Sequence, residues 1–328
     1  MRLLALAAAA SLAFGQGPGP AACDRTCLEA FVNQYLDALV AHNPFGMPLA
    51  RKVKFSENEV VLDLGDGVWN TITGAGTYKL YVADPQSGQV GFFGTMRENS
   101  TPIALAARLK IENRKISEIE TVINRGGGGP PRGGGPAPEG PAELLEAMGK
   151  PDAAFTETVP AGERVSRDSL IAAANKYFDS IEHGSADAAA FDKDCNRVEN
   201  GDRVTNNPSR PAANLTWNPW ALGCAEQINT RIFSSYQRIY PRRFPVVDEE
   251  RQLVFGFFMY QQPGDILSVE SPGHGVYKMP DSATTPGFTE SAQLFRIKAG
   301  KIRKIESLTL GIPYGMPNPF FKDDWRSP

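Results

Sequence analysis

Glu120 and Glu306 occupy matching places in two similar stretches, "KISEIETV" and "KIRKIESL". Read as strands, alternation puts Glu306 on one face with Ile302, Leu308 and Leu310, and Glu120 with Ile116 and Val122. A carboxyl group among apolar neighbours titrates above its ordinary range and suits general acid or base work near neutral pH. Lys304 and Glu118 fall on the same faces and argue for water there instead. Tyr35 and Tyr177 lie on apolar helical stripes, where a tyrosine either packs with its hydroxyl satisfied or donates to a developing oxyanion. Alternation sends one of Arg242 and Arg243 to the inner side of a sheet, to grip a carboxylate or enolate or to pair with Glu306 or Glu199. Glu306, Tyr177 and Arg243 are thus the candidate catalytic set, for proton transfer in an elimination or isomerisation that uses no cofactor.

The candidate ligand-binding residues are Trp217, Trp220, Tyr35, Trp69 and Glu120. Trp217 and Trp220, in "NLTWNPWALG", either stack on a sugar or other flat ligand or clamp their own loop to the domain. Asp192, Asp194 and Asn196 alternate as calcium-loop ligands do, but Arg197 stands where the sharp turn needs glycine and Arg203 where a bidentate glutamate belongs. No metal is expected. Glu57/Asn58 and Glu199/Asn200 fall where strand meets turn, and turn-making accounts for each Asn.

The elements that must position these residues come twice. Tyr35 and Tyr177, Asp37 and Asp179, Glu57 and Glu199, Asn58 and Asn200 share one offset of 142 residues (177 − 35 and 199 − 57). "LKIENRKISEIET" later matches "FRIKAGKIRKIES" at an offset of 186 (306 − 120). One fold is written twice, with insertions in the second copy. Each copy opens on an amphipathic helix, carrying Leu28, Phe31, Val32, Tyr35, Leu36 and Leu39 or Leu170, Ile171, Ala174, Tyr177, Phe178 and Ile181, and continues in short strands joined by turns. That order is α+β, a curved antiparallel sheet wrapped on helices. The predicted organisation is a leader over 1–15, a first domain over 23–125, a linker with a short helix over 126–164, a second domain over 165–311 and a tail over 312–328.

The repeat also sets Val53 opposite Cys195 and Val68 opposite Cys224, so valines touching across the first core imply a Cys195–Cys224 bridge in the second; Cys23 and Cys27 are left open. Near-balanced charge, 34 Lys+Arg against 37 Asp+Glu, gives no footprint for nucleic acid or anionic lipid. The apolar run from Leu3 to Phe14 after one arginine has the layout of a secretory signal peptide cut after Gly15, which places the mature chain outside the cytoplasm and free of a membrane span. "RGGGGPPRGGGPAPEGP" reads as a flexible spacer.

"YLDALVAHNP", "VKFSEN", "GDGVW" and "RKISEIET", repeated as "YFDSIEHGSADAAAFDKDCNRVENG" and "GKIRKIES", resemble the NTF2-like, SnoaL-like superfamily. More narrowly, "CNRVENG", "RRFPVVDEERQLVF" and "IPYGMP" resemble a group of secreted tandem proteins of fungi and bacteria that form a domain of unknown function. The resemblance implies two tandem cone-shaped α+β barrels, each with a pocket between sheet and helices, in a superfamily of isomerases, dehydratases, cyclases, hydrolases and non-catalytic binders. His42, His183 and His274 do not fall where a His–His–Asp dehydratase set would need them. The reading this supports is a small-molecule pocket in the second cone, as a lyase or isomerase. A non-catalytic binder of a hydrophobic or carbohydrate ligand, or a structural protein with filled cones, is the alternative. Phe257 or Met259 pointing inward would fill the second cone, and the two copies are expected to pack sheet to sheet as a built-in dimer.

Overall fold

The computed structural model describes residues 23–126, 139–212 and 215–321. The expected leader, most of the glycine-rich spacer and the end of the tail lie outside the described residues. Helix α1 (Arg25–Val40) is capped by the Asp24 carboxylate, which accepts from the Cys27 N–H at 2.9 Å, and it buries the stripe read from the sequence. Strands β1 (Leu49–Glu57), β2 (Val60–Leu62), β3 (Ile72–Asp84), β4 (Gln89–Glu98), β5 (Thr101–Glu112) and β6 (Lys115–Asn124) follow. They form a curved sheet in the order β2-β1-β6-β5-β4-β3, with β1 parallel to β6.

After α2 (Pro141–Met148), with Pro141 at its first position, the pattern begins again. Helix α3 (Arg167–His183) has Ser166 as its N-cap and Gly184, at φ +60°, as its left-handed C-cap. Strands β7 (Phe191–Glu199) and β8 (Asp202–Arg203), helix α4 (Cys224–Asn229), strands β9 (Arg238–Asp248) and β10 (Leu253–Gln262), the hairpin of β11 (Ser268–Ser271) and β12 (Gly275–Lys278), then β13 (Gly287–Lys298) and β14 (Lys301–Ile312) complete it. The second sheet runs β8-β7-β14-β13-β10-β9, again with its first and last long strands parallel. Among the described residues both sheets end in unpaired edges, so neither closes into a barrel.

The repeat holds to the residue. Lys54, Phe55, Ser56 and Glu57 pair with Glu118 to Thr121, and their equivalents Asn196, Arg197, Val198 and Glu199 pair with Lys304 to Ser307. Asn58 and Asn200, both at positive φ, do one job: each side-chain oxygen accepts the N–H of the equivalent residue on the last strand, Ile123 at 2.7 Å and Thr309 at 2.8 Å.

In both sheets the last strand also slips against its antiparallel neighbour at the same step, between Lys110 and Ile111 and between Arg296 and Ile297, and this β-bulge corrects the sequence reading. Ile302 and Ile305 belong to the helix-side core, whereas Leu308 belongs to the layer between the sheets. One extra residue reverses the alternation, so Glu306 faces that layer and not the cone. Glu120 does the same in the first sheet, where Ile116 and Ile119 are in the helix-side core and Val122 is between the sheets.

The layer between the sheets is a third core, containing Tyr78, Leu80, Phe93, Ala106 and Val122 from one sheet and Val246, Phe255, Phe257, Leu294 and Leu308 from the other. Gly91 lets the sheets approach, since a Cβ there would lie 2.5 Å from the Phe255 ring. Ala142, Leu145 and Phe155 of the linker are buried in the same core, so the segment read as a spacer with a short helix is in part structural. Ion pairs cross the layer reciprocally. Arg25 at the start of α1 meets Asp248 at the end of β9 at 2.6 Å, and the equivalent Arg167 meets the equivalent Asp84 at 2.7 Å.

Cys195–Cys224 and Cys23–Cys27 are both bonded, and Val68 is buried in the first core with Val53 packed against it. The first bridge spans 29 residues and by loop-closure entropy contributes about 3–4 kcal/mol, against about 2 kcal/mol for the short one. Two disulfides are compatible with an extracellular protein. No helix among the described residues is long and apolar enough to cross a membrane.

Candidate functional site

A cavity of about 240 Å³ opens in the second cone between α3 and the inner face of β7, β14, β13 and β10. Its wall is polar. Arg197 projects from β7, 5 % exposed; it donates through Nη1 to Gln227 at 2.6 Å and through Nη2 to Glu199 at 3.2 Å. The Phe233 and Tyr177 rings lie 4.9 and 6.0 Å from its guanidinium carbon. A guanidinium has five N–H donors, so donors remain for a ligand. Glu199 also lines the cavity, with its side chain 40 % exposed.

Three phenols converge on the same space. Tyr260 donates to Gln293 at 2.9 Å, Tyr177 lies within hydrogen-bonding reach of Gln293, and Tyr236 of Thr289. Burial is the main cause that pushes all three hydroxyls up, Tyr236 to about 12. They therefore stay neutral at physiological pH and act as donors, not as bases. The Ser291 hydroxyl, buried on the cavity wall, has no partner among the described residues. Trp220, Tyr277, Pro280 and Ala283, from the two insertions, form the roof.

The predicted residues divide among four places. Tyr177 and Trp220 line this cavity. Trp217 does not; it stacks on His274 at 4.0 Å and joins the tryptophan loop to the β11–β12 hairpin. Tyr35 and Trp69 are buried in the first core, their rings 5.5 Å apart, with Phe55 6.5 Å from Trp69. The Tyr35 hydroxyl has no partner there among the described residues. Phe257 packs between the sheets and Met259 against Phe288, so neither fills the second cone.

Glu306, Arg243 and Glu120 lie across the sheet from the cavity. Glu306 accepts from the Tyr78 hydroxyl at 2.7 Å. Arg243 pairs with neither Glu306 nor Glu199 but grips Glu120 with both terminal nitrogens, and Arg108 binds the same carboxylate at 2.7 Å. Burial opposes ionisation of Glu120, but Arg243 and Arg108 outweigh it and hold the group below its ordinary range. The catalytic set proposed from sequence is therefore not one site: Tyr177 is in the cone, and Glu306 and Arg243 are between the sheets. Arg242 turns to α3 and pairs with Asp179 and Glu182.

Beside Glu120, the carboxyls of Glu59 and Glu290 lie within hydrogen-bonding reach of each other, and Oε2 of each has no partner among the described residues. Two acceptors meet in this way only with a proton between them. Burial, then the Glu120 charge, pushes Glu59 to about 8, and burial, then the Glu59 and Glu120 charges, pushes Glu290 well above its ordinary range. The tail covers this cluster: Asn318 donates to Glu59 at 3.0 Å, and the Phe320 ring lies 4.6 to 5.2 Å from the charges of Lys54, Arg108 and Arg243.

Sequence reasoning missed Arg197, Glu199, Tyr236, Tyr260, Ser291 and Gln293 as cavity residues. The signal was present: at an offset of 186, "TESAQ" replaces "IALAA", which turns Ile103, Leu105 and Ala107 into Thr289, Ser291 and Gln293.

Residues 163–309 match the family described as Domain of unknown function (DUF8021). The DUF8021 match begins just before α3, ends within β14 and takes in every residue lining the cavity. No curated protein matches the chain.

Proposed function

We propose that the second cone binds a small polar organic molecule, a carboxylate or carbonyl oxygen of which faces Arg197 while hydroxyl or ether groups meet Tyr177, Tyr236, Tyr260 and Ser291. The observation that carries this is the buried guanidinium on the wall of a cavity that is also lined by the Ser291 hydroxyl, which has no partner among the described residues. The protein is on this reading a tandem NTF2-like cone fold that works outside the cytoplasm. Strand order and the helix on the concave face of each sheet support the superfamily; the two disulfides support the compartment. The reciprocal Arg25–Asp248 and Arg167–Asp84 pairs support an intramolecular pseudo-dimer, in which the first copy braces the second.

Proton transfer, for a cofactor-free lyase or isomerase, is a second reading with a different base. Glu199 is the carboxylate at the cavity, and neutral phenols beside it would stabilise an enolate oxygen. Thermal-shift measurements with a panel of hydroxylated carboxylic acids and their methyl esters test the binding reading. Active ligands raise the melting temperature of the protein, lose at least tenfold in affinity in Arg197→Met, and are unaffected by Tyr35→Phe in the first cone. A panel that stabilises Arg197→Met as well as the unaltered protein overturns the proposal. Turnover of a bound ligand that stops in Glu199→Gln would favour the catalytic form.

A further inference from the structure

Glu120 and Glu306 are equivalent, yet their surroundings differ. On β5, Arg108 stands opposite Glu120; on β13 its equivalent opposite Glu306 is Leu294. From the other sheet Glu120 receives Arg243, whereas Glu306 receives only the Tyr78 hydroxyl. Among the described residues that is the one hydrogen bond of the Glu306 side chain, and Glu306 is 3 % exposed. Beside it lies a cavity of about 260 Å³ walled by Met148, Phe155 and Val198. The charges at its rim are Asp152, paired with Lys304 at 2.8 Å, and the exposed Arg203, which donates to the Thr205 carbonyl and to Asn196.

We propose that this cavity is a second ligand site, which takes a small amine as its ammonium ion: the cation supplies to Glu306 what Arg108 and Arg243 supply to Glu120, and the alkyl or aryl body packs on the apolar walls. A neutral ligand offers no such compensation, because a buried carboxylate without a cation is strongly disfavoured. Burial, the main cause, and the nearby Asp152 charge push Glu306 to about 7, against the Tyr78 hydrogen bond. Ammonium binding therefore displaces a proton below that pH. Affinity climbs toward tenfold per pH unit as pH rises to about 7 and levels off above it.

Isothermal titration calorimetry of the full chain with phenethylamine, and with 2-phenylethanol as the uncharged match, tests this. The expected result is saturable amine binding, roughly 30-fold tighter at pH 8.0 than at pH 5.5 by the same linkage, with at least tenfold weaker binding of the alcohol. Glu306→Gln, which still accepts from Tyr78, abolishes the pH dependence and weakens the amine at least tenfold. Met148→Trp, a surface change at the cavity wall that leaves the carboxyl in place, weakens it too. Arg197→Met leaves it unchanged, which separates this site from the second cone. No saturable binding, equal binding of the alcohol, or indifference to both Glu306→Gln and Met148→Trp overturns the proposal.

Discussion

The two cones share a backbone and differ in what fills them. In the first, Phe55, Met96, Ile103, Leu105, Ala107 and Ile123 face the helix, and Trp69 and Tyr35 close the space. At the equivalent positions the second carries Arg197, Tyr260, Thr289, Ser291, Gln293 and Thr309 around a cavity. Glu57 and Glu199 show the same contrast at one residue. Glu57 accepts from the Val68 N–H at 2.8 Å and pairs with Arg125 at 2.9 Å. In the second copy the equivalent residues are Cys224 and Gly311, and Glu199 pairs with Arg197 at the cavity. An apolar side chain replaced by a polar one forgoes roughly 1.5–3 kcal/mol of burial. The bridge between Cys195 and Cys224, found only in the hollow half, offsets part of that loss. One copy is filled and the other is hollow.

Exchanging the matched pair at positions 55 and 197 is the sharpest way to break this comparison. Phe55→Arg places a charge with no built partner in a filled apolar cone, and urea denaturation should show a loss of about 3–5 kcal/mol. Arg197→Phe in the hollow cone should change stability by about 1 kcal/mol or less, since filling space compensates for the lost bonds to Gln227 and Glu199. Equal costs for the two would mean the cones do not differ in kind.

A smaller effect should separate the cones from the layer between them. Glu59 and Glu290 bind a proton more tightly in the folded protein than in the unfolded chain, whose carboxyls titrate near the ordinary value. Their contribution is present at acid pH and is lost as pH rises through about 8. Between pH 5 and pH 8.5 the melting temperature should therefore fall by about 5 °C. Glu290→Gln, which keeps a hydrogen bond to Glu59 without the second charge, should flatten that slope. A slope unchanged in this variant would assign the pH dependence elsewhere.

Asn58 and Asn200 are the control where the copies should agree. Each takes a positive φ and bonds the last strand, so Asn58→Ala and Asn200→Ala should each cost about 2 kcal/mol. Costs that differ by more than about 1 kcal/mol would show that the two turns are not mechanically equivalent.

The chain alone determined the architecture: the offset of 142, the helical stripes from Leu28 and Leu170, the Ser166 cap and the Cys195–Cys224 pairing are all local spacings repeated, and repetition makes a weak local signal strong. It also pointed to Tyr177 and Trp220. Tertiary structure decided which face each strand residue takes. A one-residue bulge, invisible in a pattern of period two, moved Glu306 and Glu120 from the cones to the layer between the sheets. Which carboxylate meets which arginine was settled there as well, because partners such as Arg243 and Glu120 stand 123 residues apart and meet only when the two sheets pack.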